Sequence, residues 1–314
     1  MECVVHAAFA ERFAGGAWFA RPVLMIKEYP EFSSLALDQR PELHPRFQRL
    51  PEGMSELTFA GIYLFRDAHQ YRVARLGEDL YVIAGRDAEP FFMLPFGLPE
   101  GKVLDDLFDR YKTMKAASAS QAEQLARMGC RVWEDRDNFD YLYPRDKMAD
   151  LSGRKLHKKK NLVNLFLRNN VCVAKPLLDE YAGDALRILE QWRQGQETPG
   201  DYAAAREALE NMEHLQLCGG IFYIDDEPIA YALGEELALG KVFVIHFEKA
   251  IREDQYKGVY QYTNQAFAGV LPDKYESINR EQDLGDPGLR QAKESYKPSG
   301  FVVKHRATKT PQAG

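Results

Sequence analysis

The chain has 314 residues, 45% of them hydrophobic and 28% charged, with a net charge of −6. This composition excludes a disordered or fibrous protein and is enough for about two ordinary globular domains. Net acidity excludes a uniformly basic nucleic-acid binder, so any polyanion has to be met by a local patch.

The first 26 residues contain an apolar stretch interrupted by His6, Glu11, Arg12 and Arg21. It falls short of the about 20 continuous apolar residues that a membrane helix requires. Glu2 does not suit the basic start of a signal peptide. Residues 1–24 are therefore expected to be a loosely attached extension, with the first domain over 25–150. A helix is predicted over 55–65. Strands over 71–76, 80–84 and 90–96 follow, separated by the turn signals Gly77-Glu78-Asp79 and Gly85-Arg86-Asp87. A helix over 102–111, a strand over 113–117, a helix capped by Ser120 and Glu123 and ended by Gly129, and a strand from Cys130 complete this half.

The second half, 151–305, repeats that order at greater length. It reads as a strand over 171–175, helices over 178–194 and 201–215, and strands over 220–225, 228–235 and 242–250. A helix over 260–269 and a strand over 275–280 follow. The next helix has Asp286 as N-cap and Pro287 in its first position. A closing strand is predicted over 301–305, and the polar tail 306–314 is expected to be disordered. Both halves read as α/β units with a strand-rich centre, the pattern of a structural duplication.

Several residues carry possible chemistry. Strict alternation along 242–250 would put His246 and Glu248 on one face of a strand. Either can act as a general base, Glu248 if burial raises its pKa, His246 because its ordinary pKa is already near neutral. The same residues, with Lys249 and Arg280, would equally make a buried polar network. The run from Ser277 to Gly285 is unusually polar for a strand end, and Asn279 and Arg280 there suit binding of a carboxylate or phosphate. Between the halves, residues 151–170 hold six Lys or Arg and no acid; Arg154, Lys155, Lys158, Lys159 and Lys160 form either an anion-binding patch or a solvated charged turn. The cysteines Cys3, Cys130, Cys172 and Cys218 lie far apart with no metal-ligand spacing. They are expected to be isolated thiols in a reducing, cytoplasmic setting. No metal is expected.

The order of the second half resembles the GNAT acetyltransferase fold. In that fold a strand leads through a Gln- or Arg-led glycine loop into a helix, whose N-terminus holds the donor's pyrophosphate. The matching segment here is Gln255-Tyr256-Lys257-Gly258-Val259-Tyr260, with Tyr260 where the family has a small residue. The family's terminal signature of Ala, then Tyr four residues on, then Gly-Phe matches Ala292, Tyr296, Gly300 and Phe301. This resemblance implies that Gln255, Lys257 and Gly258 help hold donor phosphates and that Tyr296 protonates the leaving group.

The segments Asp140 to Pro144, Leu151 to Lys155, Lys158 to Asn161, His246 to Lys249, Ile278 to Gly285 and Gly288 to Lys293 are similar to a bacterial family grouped with the C-terminal catalytic domain of phosphatidylglycerol lysyltransferases. The resemblance implies two tandem GNAT-like domains and an architecture shared with Fem-type aminoacyltransferases. It implies transfer of an acyl or aminoacyl group, from a CoA thioester or an aminoacyl-tRNA, to a soluble amine or hydroxyl. A non-catalytic metabolite- or tRNA-binding module is the alternative. The multi-span membrane segment of the lysyltransferases has no counterpart in this sequence, so a membrane lipid is not the expected acceptor. The first half is expected to be structural. A chain beginning at Met25 is expected to keep the thermal midpoint of the full chain, as read by differential scanning calorimetry; a clear fall would show the extension to be integral.

Overall fold

The computed structural model describes residues 25–310, so the expected extension 1–24 and the last residues of the expected tail, 311–314, lie outside the described residues. The described residues begin with the short strand β1 (Ser33–Ser34) and helices α1 (Arg40–Phe47) and α2 (Phe59–Leu64). The Thr58 hydroxyl caps α2 by accepting from Gly61 N at 2.8 Å. Strands β2 (Arg72–Arg75), β3 (Tyr81–Arg86) and β4 (Pro90–Met93) form the expected meander. Helix α3 (Gly101–Tyr111), strand β5 (Thr113–Ala117), helix α4 (Ala119–Arg127) and strand β6 (Arg131–Glu134) follow. The cap of α4 is Ser118 with Gln121, two residues before the expected Ser120 and Glu123. Ser118 follows directly on β5, and the Gln121 side chain reaches back to its N–H at 2.9 Å.

Strand β7 (Asp140–Pro144), helices α5 (Arg145–Asp150) and α6 (His157–Asn169), and strand β8 (Cys172–Pro176) come next. They lead to helices α7 (Ala182–Gln194), α8 (Tyr202–Glu210) and α9 (Met212–Leu215). The central strands are β9 (Cys218–Ile224), β10 (Glu227–Leu237) and β11 (Val242–Ala250). Helix α10 (Val259–Val270), strand β12 (Ser277–Asn279), helix α11 (Pro287–Glu294) and strands β13 (Gly300–Val302) and β14 (His305–Thr308) finish the fold. Asp286 caps α11 as expected, accepting from Leu289 N at 2.7 Å.

The strands form two seven-stranded mixed sheets, ordered β1-β2-β3-β4-β5-β14-β6 and β13-β7-β12-β11-β10-β9-β8. Sheet membership does not follow the expected division at residue 150. Strand β7, N-terminal to that point, pairs with β12 and β13 in the second sheet. Strand β14, expected to be split between a closing strand and a disordered tail, lies between β5 and β6 of the first sheet. Its edges are satisfied on both sides by backbone bonds, which is why a polar segment with few apolar side chains is ordered there. The halves also share a core. One hydrophobic cluster joins Phe59, Ile62 and Ile83 of the first half to Ile221, Leu233 and Phe247 of the second.

A buried polar knot ties the crossing together. Asp140, fully buried, accepts from Ser55 N and Ser55 Oγ at 2.8 Å each, from Asn279 Nδ2 at 3.1 Å and from Lys304 Nζ at 2.7 Å. Lys304 is itself buried and also pairs with Glu56. Such a network is stable only when each member is satisfied. Lys304→Met is therefore expected to cost about 3–5 kcal/mol, because it strands buried carboxylates. Ser55→Ala, which removes one neutral donor, should cost about 1–2 kcal/mol. Urea denaturation midpoints of the two variants check both the sign and the order.

Candidate functional site

Strand β11 positions the site through two departures from regular pairing. It pairs in parallel with β12 only over Val242–Val244 against Ser277–Asn279, then continues six residues to Ala250 while β12 ends. Beyond Val244 the two strands are no longer paired, and this junction beside the centre of the second sheet is called the wedge. The second departure is a bulge. Leu233 pairs with Phe247 and Gly234 with Ile245, so His246 is an extra residue on β11. Gly234 allows it: a Cβ there would meet the Val244 carbonyl oxygen at 1.8 Å.

The bulge breaks the alternation that the sequence reading assumed. His246 stays on the face of Glu235, whereas Glu248 turns to the opposite face, toward α10. The expected pairing of His246 with Glu248 on one face is thus corrected, and two separate polar clusters result.

On the face toward α10, Glu248 accepts from Arg280 Nη2 at 3.1 Å and from Asn264 Nδ2 at 2.6 Å. The Arg280 guanidinium lies 5.1 Å from the Tyr296 ring centroid and 6.0 Å from that of Tyr143. Lys159 Nζ sits 4.3 Å from the Tyr296 ring on another side. The side chains of Glu248 and Arg280 are 11% and 17% exposed, so the cluster is shielded yet within reach of the surface. Burial, with the charge of Glu248, pushes Tyr296 up to about 12 against the opposing charge of Arg280. Its hydroxyl is therefore protonated at neutral pH. Burial and the neighbouring Arg280 charge lower the Lys159 pKa. Four residues singled out in the sequence, Lys159, Glu248, Arg280 and Tyr296, thus converge from a helix start, two strand ends and a helix end.

On the opposite face His246 lies between two carboxylates, Nε2 at 3.0 Å from Glu235 and Nδ1 at 2.7 Å from Glu281. Burial alone would lower its pKa, but the hydrogen bonds and charges of both carboxylates push it up to about 10. An imidazole held protonated near neutral pH cannot serve as a base there, so His246 is an ion-paired link between β10, β11 and the segment after β12. Asn279 does not join either cluster; its side chain belongs to the Asp140 knot and to the Gly53 carbonyl.

The segment Gln255 to Gly258 leads into α10 as expected. Gly258 has φ +100°, and a Cβ there would meet the Leu162 carbonyl oxygen of α6 at 2.3 Å. The glycine is required by the close approach of two helices. The carbonyl's partial negative charge beside that helix start is a poor neighbour for a pyrophosphate. Gln255 and Lys257 are exposed. Tyr260 of α10 folds back onto the end of β11, its hydroxyl accepting from Ala250 N at 3.3 Å.

Of the basic run, only Lys159 turns inward. Arg154, Lys155, Lys158 and Lys160 are exposed around the start of α6, which has no acid in its first turn. Placing cations at a helix N-terminus opposes the macrodipole. The surface there is left strongly positive in an otherwise acidic protein. Cys130, Cys172 and Cys218 are free thiols, half-buried; Cys3 lies outside the described residues.

Sequence reasoning missed Asn264, Tyr143 and Asp140 as members of these networks. Asn264 sits among Gln261, Thr263 and Gln265 in α10, and only its contact with Glu248 reveals its place. No helix of the described residues is long and apolar enough to cross a membrane.

The His246 cluster sets a pH dependence. Its folded pKa lies above the unfolded value of 6.5, so its stabilisation is complete below pH 6.5 and is lost as pH rises toward 10. His44 acts oppositely. Burial, then the charge of Arg40, pushes it down to about 4, so stability is lost as pH falls from 6.5 toward 4. In His246→Gln the decline in denaturation midpoint between pH 7 and 10 is expected to flatten, while the acid limb remains.

The family model described as phosphatidylglycerol lysyltransferase, C-terminal, matches residues 47–307. A solved structure from Bacteroides thetaiotaomicron, described as a conserved protein of unknown function, is 27% identical with a TM-score of 0.79, covering 89% of this chain and 99% of that one. L-PGS from Bacillus licheniformis shares the fold at 14% identity and a TM-score of 0.57, over 92% of this chain and 95% of that one. An uncharacterized protein of Mycoplasmoides gallisepticum is 25% identical over 190 residues, 57% of this chain and 58% of that protein, so the match spans less than two thirds of that relative's length. With the match to 47–307, more than half of its length, the chain belongs to the phosphatidylglycerol lysyltransferase C-terminal family, a family of transferases.

Proposed function

We propose that the chain transfers an aminoacyl group from an aminoacyl-tRNA ester to an amine or hydroxyl acceptor, in the cytoplasm, with the chemistry in the wedge between β11 and β12. The observation that carries this reading is the convergence of Glu248, Arg280, Tyr296 and Lys159 on one side of that wedge. The acceptor's N–H or O–H faces Glu248, which takes the proton as the acceptor attacks the ester carbonyl. The new C–N or C–O bond forms as the ester C–O bond breaks. Tyr296, protonated at neutral pH, gives its proton to the departing ribose oxygen. The proton on Glu248 then leaves through solvent and Tyr296 is reprotonated. Arg280, donating to Glu248 and lying against Tyr296, holds the two in relative position.

An aminoacyl-tRNA suits the surface better than a CoA thioester. The exposed cations Arg154, Lys155, Lys158 and Lys160 form a patch for a phosphate backbone. The Leu162 carbonyl beside Gly258 disfavours a pyrophosphate at the start of α10.

Glu248→Gln and Tyr296→Phe are each expected to lower single-turnover transfer from aminoacyl-tRNA by about 100-fold or more, with tRNA binding unchanged. Transfer from acetyl-CoA alone would favour the thioester reading. Saturable tRNA binding without transfer in any variant would favour a binding module. Reversing charge at Lys155 and Lys158 should weaken tRNA binding and reduce its salt slope by about 2, as filter binding across a salt series reads it.

A further inference from the structure

The first half carries a hollow that the transfer reading does not use. Its volume is about 620 Å³, suited to a small organic molecule. Its walls come from the start of β2, the end of β3, the start of β4 and the end of α3, so it lies apart from the wedge and from the basic segment 154–160. Sheet register explains the opening. Ser34 pairs with Arg72, Arg72 with Ala84, and Arg86, two residues on, with Pro90. Ser34, Arg72, Arg86 and Pro90 therefore share one face of four adjacent strands. Helix α3 covers the inner part of that face, where Leu107 and Phe108 cluster with Ala74, Val82 and Phe92, and it ends at Tyr111. Beyond that end the four outer positions stay open and line the hollow.

Charge on these walls is unbalanced. Arg66, Arg72 and Arg86 line the hollow against a single carboxylate, Asp67. Arg66 is matched: it donates to both Glu207 oxygens, at 2.8 and 2.9 Å, and Asp67 lies 3.9 Å from it. Arg72 and Arg86 form no ion pair among the described residues; Asp87, next to Arg86 in sequence, is taken by Lys115 and His69. Arg72 is held against the Phe32 ring, 5.4 Å from its centroid. The carbonyl end of α3 offsets about half a charge at one wall, which two guanidiniums outweigh. We infer that this hollow binds a small organic phosphate, a monoester whose phosphoryl oxygens accept from Arg72 and Arg86 and whose organic group lies against Pro90 and Tyr111. Two guanidiniums without a counter-charge match the two charges of a phosphate monoester better than the one charge of a carboxylate or a phosphodiester, and each planar fork suits paired contacts to its oxygens. Inorganic phosphate alone would leave most of the volume empty. The first half, expected from the sequence to be structural, thus has a ligand site of its own.

Isothermal titration calorimetry of the full chain at about pH 8, where a phosphate monoester carries two charges, tests this. The probes are phenyl phosphate, its monoanionic diester methyl phenyl phosphate, and inorganic phosphate. Phenyl phosphate is expected to saturate one site and to bind at least about tenfold more tightly than the diester, the difference of one charge-assisted hydrogen bond. Arg72→Gln and Arg86→Gln should each weaken it by about tenfold or more. Both arginines are exposed, so the variants are expected to fold, with the thermal midpoint of the natural chain as the check. A lack of saturation at millimolar phenyl phosphate overturns the inference. Equal binding of the diester overturns it in favour of a nucleic-acid backbone, and equal binding of inorganic phosphate removes the organic group from it. Undiminished binding in both folded variants also overturns it, because the phosphate then sits elsewhere, as on the basic segment. No donor or transfer enters these readouts, so their failure is distinct from failure of the transfer reading.

Discussion

A buried carboxylate, Asp140, is the point on which the two halves of this molecule are registered. It has no solvent of its own and four protein donors, drawn from the loop before α2, from β12 and from the turn between β13 and β14. An ionised carboxylate in such a place is tolerable only when every donor is present together. Directional bonds from three distant parts of the chain therefore hold the first half, the central wedge and the C-terminal crossing in one arrangement. Apolar packing, which is non-directional, would allow them to slide.

The segment after β12 spreads that registration outward. Asn279 joins the Asp140 knot, Arg280 reaches Glu248, Glu281 reaches His246, and Gln282 donates to Ser55. Asp283, fully buried, accepts from Tyr141, Arg136 and Arg290. Five consecutive side chains, 279–283, thus reach four different environments, with Asn279 and Gln282 both joining the knot around Asp140. The Glu281 backbone turns through a left-handed conformation, φ +56°, with its N–H held by Asn279 Oδ1 at 2.7 Å. Position of the Arg280–Glu248 pair and cohesion of the halves are properties of the same short stretch. A substitution there will be hard to confine to one of them.

Much of this was legible in the sequence because local signals and tertiary structure agree. The long strands of the second half, the Asp286-Pro287 helix start and the meander of the first half all have strong periodic or turn signatures. The polar run from Ser277 to Gly285 stood out by composition alone, and Tyr296 by the spacing of its signature. What escaped depends on contacts that no local pattern carries. The bulge at His246 arises from Gly234 on the neighbouring strand, and it reverses the face of Glu248 relative to simple alternation. Gly258 has the spacing of a phosphate loop but serves the approach of α6. Strand β14 looks like a polar tail until two flanking strands are in place to pair with it. Sheet membership is hidden for the same reason: composition changes near residue 150, whereas strand exchange across that point leaves no mark in composition.

The position of β14 also bears on how the protein is made. Strands β5 and β6 do not pair with each other; they are joined by a strand lying almost at the end of the chain. A ribosome has thus released both neighbours, β6 ending at Glu134, well before the strand beginning at His305 that belongs between them exists, leaving two open edges on a nascent sheet. The first half cannot reach its final form as an independent co-translational unit, because one of its strands follows the whole second half. Any premature stop before β14 yields a product whose defect lies at the opposite end of the sequence from the lesion, with exposed strand edges that mark it for aggregation or disposal.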